Sequence, residues 1–516
     1  MNFEGLFVYD MANNHQGDLE HGLRIIKEFA GVSKEKGVRG AMKFQYRQLA
    51  TFIHPDYRDY EGNKHLSRFI STELSPDDYG VLAASAKEQG LITVSTPFDE
   101  ESVDLIEKLR IDIIKIASCS AQDWPLLERI AEAGKPVICS TAGLNITQID
   151  DIVSFFEKHG TEFALMHCVA IYPTPFDKLA LNQVKLLLRR YPHITIGFST
   201  HEDPDCLDAV KIAYAKGARI FERHVGVNTD KYKLNGYSST PEQAGRWIDS
   251  YKETLEACGP SGRAPVSHLE EASLESLSRG VFLKNPVAEG EMITRDNVVF
   301  SMPILKGQLK SGLWSEGLVA DKDYKTAEPV PASLRSITLS RQDTVNRIIL
   351  QVKGMLNNAR IFLGDDCSVE LSHHYGLDRF REFGAVIIDC INRDYCKKLI
   401  IQLPRQKHPY HYHKKKEETF QVLSGSVEVE LEGETRTMLP GDKCLVERDQ
   451  WHKFQTLHGV IFEEVSTTHF NNDSFYEDPL ISEIPRESRK TKIDLGLRLP
   501  VNSEPLETED DKSNCL

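Results

Sequence analysis

Eight short apolar runs divide the chain up to His224, and nearly all of the polar residues that look chemically useful sit where a run ends. The runs close on Tyr9-Asp10, Lys43-Phe44-Gln45, Ser95-Thr96-Pro97-Phe98-Asp99, Lys115-Ile116-Ala117-Ser118, Ser140-Thr141, His167-Cys168, Ser199-Thr200-His201 and Glu222-Arg223-His224. Most are spaced by about twenty to thirty residues with helical patterning between them, the rhythm of repeated βα units. In the Asp18 to Lys36 stretch, Leu23, Ile26 and Ala30 fall on one helical face and Asp18 is suited to cap it. Such units close into a parallel (β/α)8 barrel, whose active site lies at the C-terminal strand ends, so residues far apart in sequence converge. One interval is longer. From Tyr46 to Gln89, with Tyr57, Tyr60 and Phe69, the chain has room for either a barrel-packing insertion or a lid over the barrel mouth.

At 516 residues the chain exceeds what one core can hold, and two to four domains are expected. A net charge of -15 with no basic cluster argues against nucleic acid as a partner. No basic segment precedes an apolar stretch at the N-terminus, and no run approaches the roughly 18 to 20 apolar residues of a membrane span. A soluble cytoplasmic protein is the expectation. Ten cysteines without a CxxC pair, with Cys139, Cys168 and Cys390 inside apparent strands, read as reduced thiols.

Composition divides the chain further. The barrel pattern occupies residues 1–260 and fades at Gly259-Pro260-Ser261-Gly262. Short strands and glycine turns fill 276–335, a segment too small to be very stable alone. β-patterning returns over 344–472, and 473–516 reads as a polar tail, disordered at its end.

Within 344–472, His411 and His413 stand two apart, on one face of a strand, where both can reach one ion. Glu418 follows, then Gly425, Gly441 and His452. This spacing resembles the two-part cupin signature, with His411, His413, Glu418 and His452 matching its metal-ligand set, although Glu447 and Asp449 replace the usual proline and glycine of the second part. The resemblance implies a C-terminal cupin β-barrel with a possible second divalent metal. Its role is open between structural or sensory binding and a second catalytic centre.

The barrel motifs also carry a resemblance. Asp10-Met11-Ala12-Asn13-Asn14-His15-Gln16-Gly17, Met42-Lys43-Phe44-Gln45, Ser95-Thr96-Pro97-Phe98-Asp99, Lys115-Ile116-Ala117-Ser118, His167-Cys168 with Tyr172-Pro173-Thr174-Pro175, Gly197-Phe198-Ser199-Thr200-His201 and Glu222-Arg223-His224 are similar, in order, to those of sialic acid (nonulosonate) synthases. Ser276 to Pro331 resembles the antifreeze-like (SAF) domain that follows the barrel there. The resemblance implies condensation of phosphoenolpyruvate with an open-chain N-acylhexosamine, typically N-acetylmannosamine, to a nine-carbon 2-keto acid and phosphate. It implies a divalent metal, Mn2+ or Mg2+, on His201 and His224, and a homodimer with the SAF domain swapped over the partner barrel.

The residues suit that chemistry. Lys43 and Lys115 can hold the charge of a compact trianion, with Thr96, Ser118 and Ser199 donating to phosphate; the other reading pairs the two lysines with barrel carboxylates. Either histidine alone reads as a satisfied core group. Asp10, Glu222, His201 and His224 form the expected catalytic set, Glu222 for proton transfer or for orienting water. Gln45, Asn14, His15 and Tyr172 are expected on the substrate side, although Asn14 could equally cap the first helix.

The departures cluster at the sugar end. Asp10 stands where the family usually has glutamate, Ser120 where glutamate is usual, Ala170 where asparagine or serine is, and Thr200 where aspartate is. Lys233-Leu234-Asn235-Gly236 lacks an aspartate-histidine pair, and Met302-Pro303 replaces arginine-proline. Beside an active synthase, two other readings stand: a non-catalytic relative that binds a sugar or sugar nucleotide through the cupin, and a working cupin carried on a barrel scaffold.

Overall fold

Side chains alternate across a strand, and that alternation decides what each apolar run does in space. A computed structural model describes residues 2–58, 62–334, 341–364, 366–470 and 472–493. The chain forms two units, Met1–Ser267 and His268–Leu516. In the first, eight parallel strands close in chain order: β1 (Leu6–Asp10), β2 (Arg39–Tyr46), β3 (Ile92–Pro97), β4 (Ile113–Ile116), β5 (Val137–Ser140), β6 (Phe163–Cys168), β7 (Thr195–Thr200) and β8 (Ile220–His224). β1 closes the ring by pairing with both neighbours, Asp10 lying beside Lys43 on one side and beside His224 on the other.

One set of alternate residues fills the barrel. Leu6, Val8, Ala41, Val94, Ile113, Ile138, Ala164, Met166 and Ile220 form an apolar plug. Two residues further along the same strands come Asp10, Lys43, Thr96, Lys115, Ser140, Cys168 and Glu222. The other set, including Phe7, Tyr9, Phe44 and Phe198, faces the helices. Leu19–Lys36 buries Ile25, Ile26, Phe29 and Ala30, is capped by the Asp18 side chain accepting from the His21 amide, and ends at Gly37 with φ 57°. The Asp18 cap leaves Asn14 free for another task. Trp247, on the helix Pro241–Cys258, meets the Phe7 ring edge-on at 5.2 Å.

The long interval after β2 divides its work. Pro76–Glu88 buries Tyr79, Leu82, Ala83 and Ala86 against the barrel, whereas on the shorter helix Lys64–Ser71, Leu66 and Phe69 are half-covered. Tyr57 is exposed, and Tyr60 lies outside the described residues.

In the second unit, Gly280–Leu283 pairs with Val298–Ser301, and Met292–Ile293 with Leu318–Val319, around a small core that includes Val281, Ile293, Leu309 and Val330. The stretch after Thr344 is not β at its start: Arg341–Ala359 is a helix. Its Val345, Ile348, Val352 and Leu356 pack with Val369, Leu371 and Ile388; the β-branched residues imitate strand composition while their spacing of three and four is helical. Beyond it stand two antiparallel sheets. The larger runs Lys443–Val446, Glu418–Gly425, Val460–Thr467, Tyr395–Gln402, Ala385–Asn392, Ser368–Ser372 and Lys490–Ile493; the smaller includes His411–Tyr412, His452–Gln455 and Phe475–Tyr476.

The polar segment after residue 472 therefore contributes a strand to each sheet, correcting its reading as tail. Buried Asp473 explains why: its carboxylate accepts from the backbone amides of Lys414, Lys415 and Lys416. Residues 494–516, where disorder was expected, lie outside the described residues. No described helix is long and apolar enough to cross a membrane. The nine described cysteines are free thiols, with Cys139 and Cys168 buried and Cys390 half-buried.

Gly197 follows from the same packing. A Cβ there would lie 2.8 Å from Ile220 Cβ and 2.9 Å from the Ile220 carbonyl oxygen. Backbone cannot move aside cheaply, so Gly197→Ala should lower unfolding free energy by about 1 to 3 kcal/mol. Urea denaturation monitored by tryptophan fluorescence checks this; an unchanged midpoint would contradict the packing.

Candidate active site

Four buried charges occupy the barrel above its apolar plug. Lys43 Nζ lies 3.0 Å from Asp10 Oδ2 and 3.0 Å from Glu222 Oε1, and Lys115 Nζ lies 3.8 Å from the same Glu222 oxygen. All four residues are at least 96% buried. Formally the set is neutral, which makes its burial tolerable. Burial opposes ionisation of Glu222, but Lys115 and Lys43 outweigh it and hold the carboxyl near 2. Burial likewise opposes the Lys43 charge, which Asp10 and Glu222 restore and raise above the usual lysine range. Lys115 is driven down by burial and by Lys43, with Glu222 opposing. It donates to Ser140 Oγ at 2.5 Å and to the Ile116 carbonyl at 3.1 Å. The lysines are thus paired with barrel carboxylates, the second of the two readings of these residues.

The Ser199 hydroxyl donates to Glu222 Oε1 at 2.9 Å, while Glu222 Oε2 and Thr96 Oγ1 are buried without a protein partner. Ser118 Oγ accepts from the Ala142 amide at 3.0 Å, across the ends of β4 and β5. Gln45 donates to Asp10 Oδ2 at 3.3 Å.

The two histidines are neighbours beside this network, with ring centroids 5.2 Å apart. His201 Nδ1 lies 3.0 Å from the Val169 carbonyl, an arrangement that places the proton on Nδ1 and leaves Nε2 as a lone-pair donor. Burial, then His224, holds His201 down near 3; burial also lowers His224. His224 Nε2 is 3.4 Å from Asp10 Oδ2. The free His201 Nε2, His224 and the Asp10 carboxylate beside it are donors of the kind a divalent cation takes. Tyr172 lies with its ring centroid 4.3 Å from that of His201.

Asn14 does not cap the first helix. It donates to the Val225 carbonyl at 2.8 Å and to Ser238 Oγ at 3.1 Å, tying the β1 loop to the chain beyond β8. His15 is buried, with an unpartnered Nε2. His167 faces outward, its Nε2 2.8 Å from the Leu179 carbonyl. Thr200 lies on the outward side of β7, opposite Arg223, so its departure from the family pattern does not open into the barrel interior. Of the other departures, Ser120 is buried, whereas Ala170, Asn235 and Met302 are exposed.

Three residues near the site lie outside the motifs of the family resemblance, Ser140 standing only as the end of the fifth run. Ser140 was recoverable, since it lies two positions after interior Ile138 and so shares its face. Tyr237, with its ring 5.2 Å from His224, arrives on a loop without periodicity. Arg47 donates to Gln45 Oε1 at 3.1 Å, and its guanidinium lies 3.7 Å from the Phe98 ring centroid and 4.1 Å from that of Phe69. Burial lowers its pKa to about 10.

In the second unit, ligand atoms of His411, His413 and His452 lie within 4.8 Å of one another. Each Nδ1 faces a backbone carbonyl, of Pro409, Asp473 and Gln450 respectively. That leaves three Nε2 lone pairs, and His452 Nε2 is buried without a hydrogen bond. Glu418 Oε2 is 3.3 Å from His452 Nε2, while Oε1 contacts Lys416. The donor set fits a divalent metal.

Both parts of the chain match known families. Residues 31–261 match the NeuB family and residues 399–460 a cupin domain. A Chromobacterium violaceum structure described as a spore coat polysaccharide biosynthesis protein E is 46% identical with a TM-score of 0.62, covering 64% of this chain and 99% of that one. An uncharacterized protein of Methanocaldococcus jannaschii is 30% identical, over 56% of this chain and 82% of its own. Human N-acetylneuraminate-9-phosphate synthase is 25% identical, over 62% and 89%.

Glu222→Gln would leave two buried lysines facing one carboxylate and should destabilise the chain by on the order of 3 kcal/mol. The folded pKa of Glu222 is depressed, so its stabilisation is complete above about pH 4.5 and is lost as pH falls through about 2. The difference between wild type and variant in urea should therefore be flat from pH 5 to 8. A difference that grows steadily over that range would contradict the assignment.

Proposed function

Because the chain belongs to the NeuB family, we propose that this sialic acid synthase-like enzyme joins phosphoenolpyruvate to the aldehyde of an N-acylhexosamine, N-acetylmannosamine or a relative, giving a nine-carbon 2-keto sugar acid and phosphate. The observation that carries the reading is the buried pair Lys43 and Lys115 sharing Glu222. In the proposed complex the substrate anion competes for both lysines, and Thr96, Ser118, Ser140 and Ser199 offer hydroxyl donors around it. C3 of the enol attacks the aldehyde carbon, water adds to C2, and phosphate leaves, so the atoms of both substrates and one water are accounted for. Once the lysines are shared with substrate, Glu222 is released from their pull and its carboxylate can accept the proton of that water. Asp10 and Gln45 orient the acceptor side, with Asn14 and Tyr172 lining it.

His201 and His224 would hold Mn2+ or Mg2+, which when bound supplies Lewis-acid polarisation of the aldehyde oxygen. His411, His413, Glu418 and His452 would hold a second divalent ion apart from this reaction. The completeness of the barrel's charge network favours a working synthase over a non-catalytic, cupin-based binding protein.

In the same reading, 276–335 is an SAF domain that reaches the partner's barrel in a homodimer. The exposure of Met292, Val299, Met302, Leu305 and Val319 supports a covered face on that segment. Sedimentation should give a dimer, and a monomer at micromolar concentration would contradict this arrangement.

Phosphate release from phosphoenolpyruvate with Mn2+, over a panel of hexosamines, tests the main claim. Turnover should depend on metal and on at least one aldose, and His224→Ala should lower it about 100-fold or more. No metal-dependent turnover with any aldose would overturn the reading. His411→Ala should remove cupin metal, read by elemental analysis, and leave turnover intact; loss of turnover at unchanged stability would contradict the separation of the two centres.

A further inference from the structure

The cupin unit contains a charged cavity for which the barrel reaction has no use. Its volume is about 1020 Å³, and both sheets line it. The smaller sheet supplies His411 and His452, and the larger supplies a row of inward charges unusual for a β-sandwich interior. Strand register places these charges side by side: Lys398 lies beside Glu464 on one neighbouring strand and beside Asp389 on the other, and Glu370 lies beside Lys492 on the edge strand.

Several of the cations are already matched. Lys398 meets Asp389 at 3.2 Å, Lys490 pairs with Glu370, and Lys416 pairs with Glu418 and Glu464. Six cationic side chains nevertheless line the cavity against five carboxylates, and a divalent ion on the histidines would add to the positive excess. Arg489 Nε is buried with no partner, and its guanidinium lies 5.3 Å from the Tyr476 ring centroid. The positive charges act on one region. His469 is depressed to about 2 by burial and then by Lys398, Lys416, Lys490 and Arg486, and Lys490 is lowered by burial, Arg486 and Lys398 against the pull of Glu370.

Neutral polar groups are also left open. His374 lines the cavity at 2% exposure with Nδ1 unpartnered, and its Nε2 lies 3.3 Å from the Tyr476 hydroxyl. Phe420, Phe454 and Ile400 add an apolar part. Unpartnered buried nitrogens around a cavity of this volume are open to the polar atoms of a ligand.

We propose that this cavity is a second ligand site, taking a small anionic polyol, a sugar acid or a sugar phosphate, with its oxygens toward the three histidines and its anionic group against Arg489 and Lys490. A fixed guanidinium with an unpaired donor suits a carboxylate or phosphate, and the row of polar side chains suits hydroxyls. The site stands on the cupin residues alone and does not depend on the reaction assigned to the barrel.

Isothermal titration of the full-length, Mn2+-loaded chain tests it with three probes: gluconate, glucose 6-phosphate and uncharged sorbitol. At least one anionic probe should bind at least about tenfold more tightly than sorbitol, and which one binds distinguishes carboxylate from phosphate. Arg489→Gln should weaken that probe about tenfold or more without changing sorbitol. Lys492→Gln, on the exposed edge strand where folding is not at risk, should weaken it in the same direction. Lys115→Met, in the barrel, should leave it unchanged whether or not the chain is a synthase. Equal binding of sorbitol, unchanged affinity in both cupin variants, loss of binding in Lys115→Met, or no heat from either anionic probe at about 10 mM would each overturn the proposal.

Discussion

The carboxylate of Glu222 is the constraint on which the barrel depends. One oxygen lies within 4 Å of two lysine nitrogens and accepts the Ser199 hydroxyl, in an interior where an unpaired charge would be strongly unfavourable. Asp10 completes the balance from the neighbouring strand. No apolar residue at any of the four positions would leave the remaining three neutral. The barrel must therefore keep the set together, and a ligand that enters must be able to replace what it disturbs. A doubly or triply charged anion offers the lysines new partners, and a divalent cation on the neighbouring histidines would balance the carboxylates it displaces.

The same arrangement explains why the two ends of the site differ in how well sequence defines them. The charged half is built from strand residues, where the alternation that makes Ala41, Ile113 and Ile138 the plug also carries Lys43, Lys115 and Ser140 to the layer above. The other half is built from loops: Asn14 holds to Val225, Tyr172 leans on His201, and Arg47 is fixed between Phe69 and Phe98. Loop positions can change without moving a strand. The departures Ala170, Asn235 and Met302 are all on exposed chain, whereas Thr200 turned out to face the helices.

Legibility followed periodicity. The eight strands, the Asp18 cap and the cupin histidines could all be read because a period of two or a fixed spacing marks them. The helix Arg341–Ala359 was misread because its valines and isoleucines favour strands in composition, and the strands at Phe475–Tyr476 and Lys490–Ile493 because polar residues that line a cavity look like tail. Arg47 and Tyr237 gave no periodic signal. The pairing of Lys43 and Lys115 with one shared oxygen is a fact of three dimensions that no spacing encodes.

The central claim is that the paired lysines form a phosphoenolpyruvate site, and direct binding tests it without metal, acceptor or turnover. The 31P resonance of phosphoenolpyruvate, titrated with wild type and with Lys115→Met, is the measurement. Saturable broadening or shift with wild type that disappears in a folded Lys115→Met chain is the result the account predicts. Equal binding by both proteins, or none by wild type, would contradict it.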